Sequence, residues 1–191
     1  MGFSIFPSPL YLPKKIKCHM EDPESLASLS NQLSKLIKQF AVQHQKELVV
    51  LCVGTDRSTG DCLGPLVGWL LTQKKVAFPV YGTLDDPIHA GNLSEKVGDV
   101  RRCHHNPVVI AVDACLGRVE SVGLITLGEG MIKPGAGVHK NLPGVGDIFF
   151  TGIVNVAGHM EFVVLQNTRL SLVMKMARLI TDSIILGIKK A

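Results

Sequence analysis

The chain has 191 residues, 46% of them hydrophobic and 19% charged. This balance belongs to globular chains long enough to bury a sizeable core, not to disordered ones. A formal net charge of only +4 and an aromatic content of 5% leave neither a basic surface nor a platform for stacking bases, which argues against nucleic-acid binding. The five cysteines (Cys18, Cys52, Cys62, Cys103 and Cys115) include no Cys-x-x-Cys pair, as expected of free thiols in a reducing, cytoplasmic compartment.

In chain order, residues 1–20 carry Pro7, Pro9 and Pro13 and read as an irregular arm. The start of the chain lacks the basic and then apolar pattern of a secretory signal, and Phe6 stands where myristoylation needs Ser or Thr. Asp22-Pro23 reads as a cap followed by proline in a first helical turn. Leu26, Leu29, Leu33, Leu36, Ile37 and Phe40 then recur at helical spacing, predicting an amphipathic helix over 23–44. A strand is expected over 47–53, where Leu48–Val53 is a continuous apolar run, the pattern of a strand buried on both faces of a parallel sheet. After the Gly54–Gly60 loop, Leu63, Leu66, Val67, Leu70 and Leu71 mark a second helix with Pro65 in its first turn.

Further strands are expected at 76–82, 107–112, 122–127 and 148–156, with a weak helix at 92–99. The segment 163–165 is ambiguous, and a closing helix is expected over about 168–186. Between Gly128 and Gly146 lie six glycines, counting both ends, and two prolines, a long loop of the kind that is often functional. No apolar run reaches membrane-spanning length. Alternating strands and helices predict an α/β three-layer sandwich with a mostly parallel sheet. One α/β domain is expected over 21–191.

The chemistry concentrates where apolar runs end. Asp56 and Asp61 follow the first strand and Asp113 follows the run Val108–Val112. Sites in open α/β sheets form at the carboxyl ends of strands. These carboxylates would therefore share one sheet edge, there to do acid–base chemistry, hold a metal, or simply cap the next helix or turn at about 1 kcal/mol. The Gly54–Gly60 loop is not a nucleotide-hydrolase phosphate loop, since five residues separate the glycines and Asp61 follows in place of lysine. Ser58 or Cys62 as a nucleophile would need an adjacent base, and the sequence places no histidine beside either. Of the histidines, His104-His105 reads as a solvated turn and His89 as a residue near the same edge. His139 and His159 are the better-placed candidate ligands, although no His-x-x-x-His spacing supports a metal site.

Gly60-Asp61-Cys62-Leu63-Gly64-Pro65 resembles the Pro-Asp-Ala-Leu-Gly-Pro stretch of the spore germination proteases. Asp113-Ala114-Cys115 resembles their Asp-Ala-Leu-Ala, and Pro134-Gly135-Ala136-Gly137-Val138 their Pro-Gly-Ser-Gly-Val. Over roughly 47–185 the chain is similar to the YyaC-type sporulation proteins, through Gly54–Pro65, Leu142-Pro143-x-Val145-Gly146-Asp147 and Val164–Leu170. This resemblance implies the phosphorylase/hydrolase-like fold shared with hydrogenase-maturation proteases. It also implies that Asp61 and Asp113 form an atypical acid-protease pair. In the hydrogenase-maturation group the equivalent acids and a histidine contact nickel in the substrate protein; that histidine would be His139 or His159 here.

The reading that results is a sporulation-associated, peptidase-like hydrolase of the cytoplasm acting on a protein or peptide, with neither nucleic acid nor membrane as partner. Asp61 and Asp113 are the expected catalytic pair. Asp56, Arg57, Ser58, Gly135 and Gly137 are the expected substrate-binding residues. A divalent metal, if used, would fall to Asp61, Asp113 and His139 or His159. The competing reading is a non-catalytic regulatory or binding protein that keeps the fold.

Overall fold

The computed structural model describes residues 15–134 and 144–191. Its elements are strand β1 (Lys15–His19), helix α1 (Ser25–Phe40), β2 (Leu48–Cys52), α2 (Leu63–Gln73), β3 (Val80–Tyr81), α3 (Leu93–Cys103), β4 (Val108–Gly117), β5 (Leu124–Glu129), β6 (Ile148–Val156), α4 (Glu161–Gln166) and α5 (Leu170–Lys189). The six strands form one sheet in the order β1-β5-β6-β4-β2-β3. β3, β2, β4 and β6 run parallel, whereas β5 is antiparallel to both β6 and β1.

Period-two alternation divides the core between the two sheet faces. Val50, Cys52, Ile110, Val112 and Phe150 pack against Leu29 and Leu33 of α1, Leu63 and Val67 of α2, and Met176 and Ile180 of α5. Val49, Leu51, Val53 and Ala111 point the other way, onto Leu93 and Val100 of α3 and onto Ile88. Helices thus cover both faces, the three-layer α/β arrangement expected from the alternation of elements. Each fully buried Leu, Ile or Phe side chain stabilises it by about 1.5–3 kcal/mol.

Several element boundaries differ from the sequence expectations. The irregular arm expected over 1–20 is a strand at 15–19, where Ile16 and Cys18 pack inward and Lys15 and Lys17 face out; residues 1–14 lie outside the described residues. Exposed lysines on an edge strand discourage further pairing there. The first helix starts at Ser25, because the Asp22 carboxylate accepts the Glu24 N–H (2.9 Å) and shapes a turn ahead of the helix. It ends at Phe40 and a separate 3₁₀ turn covers Val42–His44. The strand expected at 76–82 shrinks to Val80–Tyr81. The ambiguous segment near 163–165 is helix α4, not a strand. In the glycine-rich stretch, Ile132 and Val145 exchange two main-chain hydrogen bonds of 2.9 Å, and 135–143 lie outside the described residues.

The boundary that matters most is the end of β4. It continues to Gly117, so Asp113 sits within a strand, opposite Thr151 of β6, rather than in a turn past the strand's end. β2 and β4 are neighbours, yet the chain leaves β2 toward β3 on one side and leaves β4 toward β5 and β6 on the other. The crevice above their carboxyl ends is therefore the topological switch point, where ligands bind in open α/β sheets.

Candidate functional site

The segment after β2 turns back sharply on itself. Gly54 has φ +142°, and a Cβ there would lie 1.9 Å from the Asp61 carbonyl oxygen. Only glycine lets these two parts of the loop pass so closely. The Thr55 N–H donates to that carbonyl (3.1 Å), the Gly54 N–H to Ile88 (2.7 Å), and the Gly60 N–H to Leu165 of α4 (2.8 Å). Gly64, in the first turn of α2, allows the helix to sit directly on Val53, whose carbonyl would be 2.1 Å from a Cβ. The loop is tied to strand, helix and neighbouring segment at once, and Asp61 is held above the switch point.

Neither aspartate serves the capping role open to it in the sequence. The cap residue of α2 is Cys62, and no side chain caps that helix start. Asp113 is 8% exposed and accepts the Ala114 N–H (2.9 Å). Burial raises the Asp61 carboxyl above its ordinary value, against the Thr55 amide and, more weakly, His89. Asp113 is pushed well above its ordinary value, first by burial and then by the charge of Asp61. The charge of Asp61 disfavours the ionisation of Asp113, so the two titrations are coupled.

Both aspartates line one cavity of about 540 Å³ together with Arg57, Ser58, His89, Phe162 and Leu165. Gly54, Pro134 and Gln166 are also on its wall. Ser58 is 5% exposed, and its Oγ has no hydrogen-bond partner among the described residues. Arg57 is exposed and makes no ion pair among the described residues. His89 reaches the cavity because Ile88 bridges Val53 at the end of β2. Its Nδ1 accepts the Gly91 N–H (3.1 Å).

Other residues singled out in the sequence fall elsewhere. Asp56 is exposed, near the Thr55 hydroxyl (3.4 Å), and is not on the cavity wall. His159 is exposed in the turn before α4 and does not line the cavity; the histidine that does, among the described residues, is His89. Gly135, Gly137 and His139 lie outside the described residues. No three His, Cys, Asp or Glu side chains among the described residues are grouped to hold a metal ion, so Asp61, Asp113 and His159 do not assemble as a ligand set. Cys62 does not offer a ready nucleophile, since burial and the charges of Asp61 and Asp56 push its thiol up to about 11.

Sequence reasoning placed His89 near this edge but favoured His139 and His159 over it, and it missed Phe162, Leu165 and Gln166 as wall residues. His89 depends on the Val53–Ile88 bridge, a long-range pairing. The α4 residues depend on side-chain clamps, in which Asn155 Nδ2 donates to the Val164 carbonyl (3.2 Å) and to Thr168 Oγ1 (3.1 Å). The one available signal was the motif Val164–Leu170, which contains Leu165 and Gln166.

Among the described residues no helix is long and apolar enough to cross a membrane. The fold is similar to that of the [NiFe] hydrogenase maturation protease HycI of Thermococcus kodakarensis KOD1, with a TM-score of 0.53 over 84% of this chain and 99% of that one, at 16% identity. In sequence the chain is 60% identical over 174 residues to the Uncharacterized protein YyaC of Bacillus subtilis (strain 168), covering 90% of this chain and 83% of that protein. The family described as "Protein of unknown function (DUF1256)" matches residues 17–183. The chain belongs to that family.

Proposed function

We propose that this protein is a sporulation-associated, peptidase-like hydrolase of the cytoplasm, in which Asp61 and Asp113 act as base and acid on a protein or peptide substrate. The observation that carries this reading is the pairing of two carboxylates with unequal surroundings in one cavity at the switch point. Asp113 is the more buried and keeps the proton. Asp61, whose rise the Thr55 amide opposes, ionises first. Environments that separate two carboxyl groups in this way assign one as acid and one as base.

Asp61 takes a proton from water as the water oxygen attacks the peptide carbonyl carbon, and Asp113 delivers its proton to the departing amine nitrogen. The new carboxyl and amine leave, and the pair again shares one proton. Arg57 on the cavity wall orients the substrate's polar backbone or an acidic side chain, and Phe162 and Leu165 offer an apolar wall to a neighbouring side chain. The similarity in fold to a maturation protease supports the architecture of such a site; the chemistry rests on the carboxylate pair, because a fold alone does not carry an activity.

The test incubates wild type, Asp61→Asn and Asp113→Asn with extract of sporulating Bacillus subtilis cells and counts new peptide termini by mass spectrometry. Wild type should generate termini that neither variant does. No excess over the variants, with a partner still retained in a pull-down, would instead make the protein a non-catalytic regulator.

A further inference from the structure

We propose that Ser58 and His89 form the donor side of this cavity, where the Ser58 hydroxyl and the His89 Nε2–H together hold the carbonyl oxygen of the peptide bond under attack. The proposal rests on the peptidase reading above and adds the half of the chemistry that two carboxylates cannot supply. A carbonyl oxygen gains negative charge as water adds to its carbon, and it must face hydrogen-bond donors. Asp61, once ionised, only accepts, and the proton on Asp113 is committed to the leaving nitrogen.

The wall offers few other side-chain donors. Arg57 and Gln166 line the cavity but are exposed. The Thr55 hydroxyl donates toward Asp56 (3.4 Å) and accepts the Arg57 N–H (3.3 Å). Ser58 and His89 remain. The Ser58 hydroxyl is enclosed and has no partner among the described residues. Leaving such a group unpaired costs about 1–3 kcal/mol, and an unpaired buried polar atom in a native structure calls for a reason. A substrate oxygen in the cavity it lines is that reason.

His89 is prepared for the same task. The Gly91 amide donates to Nδ1, so the neutral ring carries its proton on Nε2. Its main chain is held from both sides. The His89 N–H donates to Asn92 Oδ1 (2.8 Å), the His89 carbonyl accepts from Asn92 and Leu93 (3.0 and 2.9 Å), and Asn92 Nδ2 anchors to the Pro87 carbonyl (3.1 Å). A donor fixed before the substrate arrives needs no rearrangement when charge develops, and that preorganisation makes such groups effective.

The step balances within the site. Water gives its proton to Asp61 and its oxygen to the carbonyl carbon. The carbonyl π pair moves onto the oxygen facing Ser58 and His89, then returns as the C–N bond breaks and Asp113 protonates the nitrogen. Ser58 and His89 donate hydrogen bonds throughout and transfer no proton.

The experiment uses a synthetic peptide spanning the most abundant cut that wild type makes in the sporulating-cell extract. Ser58→Ala, His89→Ala and His89→Gln are assayed for kcat and KM, with thermal melting as the check on folding. Ser58→Ala and His89→Ala should each lower kcat by about 10²–10³-fold with KM little changed. His89→Gln, which keeps an N–H donor, should recover part of the loss. Ser58→Ala should melt no lower than wild type, because the hydroxyl it removes has no partner to lose among the described residues. If wild type cuts while Ser58→Ala and His89→Ala retain kcat within about threefold, or lose activity only by unfolding with no recovery in His89→Gln, the donor role is overturned and the carboxylate reading survives. If wild type cuts nothing, both fall.

Discussion

At the two ends of β2 a histidine meets acidic side chains, and the two meetings differ in how many hydrogen-bonding positions are left over. Beside the amino end, His104 uses both ring nitrogens: Nε2 pairs with the Tyr81 hydroxyl (2.8 Å) and Nδ1 with Glu47 Oε2 (2.8 Å), and the tyrosine ring packs edge-on at 5.8 Å. At the carboxyl end, His89 spends only Nδ1 among the described residues, and does so on its own loop. Asp61 and Asp113 have raised proton affinities, and Ser58 has no partner among the described residues. The first cluster has its hydrogen bonds made and joins β3, α3 and the start of β2. The second places Asp61, Asp113, Ser58 and His89 on the wall of one cavity. A closed network serves stability, and an open one at a switch point is what a ligand would complete.

The comparison is broken most sharply by Asp113→Asn. Removing the acid should lower cleavage by about 10²–10⁴-fold, the range for a positioned acid or base, read as the rate of appearance of new termini. Gly54→Ala comes next. A methyl group 1.9 Å from the Asp61 carbonyl at φ +142° forces the loop apart, so stability in urea should fall by more than about 1 kcal/mol, and cleavage should be lost with the displaced Asp61.

A third test sharpens the electrostatic side of the contrast. Asp113 has a folded-state pKa raised well above the ordinary 3.8, so the stability it contributes is complete below that ordinary value and is lost as pH rises through the raised one. Above the ordinary value the folded state binds more protons than the unfolded chain. The unfolding free energy of wild type from urea titrations should therefore decline with rising pH by up to about 1.4 kcal/mol per pH unit for each extra proton held, and Asp113→Asn should flatten that slope. A wild-type curve parallel to that of the variant would contradict the raised affinity.

The smallest effect belongs to the closed cluster. His104→Ala should cost about 1 kcal/mol through its two lost hydrogen bonds, partly offset because Glu47 is 46% exposed and can turn to water. Cleavage should be unchanged. A loss of activity in that variant at intact stability would erase the functional distinction between the two ends.

Much of this was legible in the chain. The apolar runs Leu48–Val53 and Val108–Val112 marked strands of a parallel sheet, which pair side by side in the fold, because strands buried on both faces need apolar residues at nearly every position. The aspartates just beyond them marked the edge where both are now found. Less legible were β1, too short for a pattern to stand out, and the reach of β4 to Gly117, whose last residues are only partly buried. His89 was noted near the edge but ranked below His139 and His159, because proximity made by a Val53–Ile88 bridge leaves no local spacing to read.

By itself, then, the amino-acid order determined most of the strands and helices, β1 and α4 excepted, and which carboxylates stand near their ends, since periodicity and the glycine of a tight turn act over a few residues. Tertiary structure alone decided that burial raises the proton affinity of Asp61 and Asp113 and that the charge of Asp61 raises Asp113 further, that His89 joins their cavity in place of His159, and that Ser58 is enclosed there with no partner among the described residues. Burial and the influence of a neighbouring charge arise only when segments distant in the chain are packed together, and they depend on the whole sheet and its flanking helices.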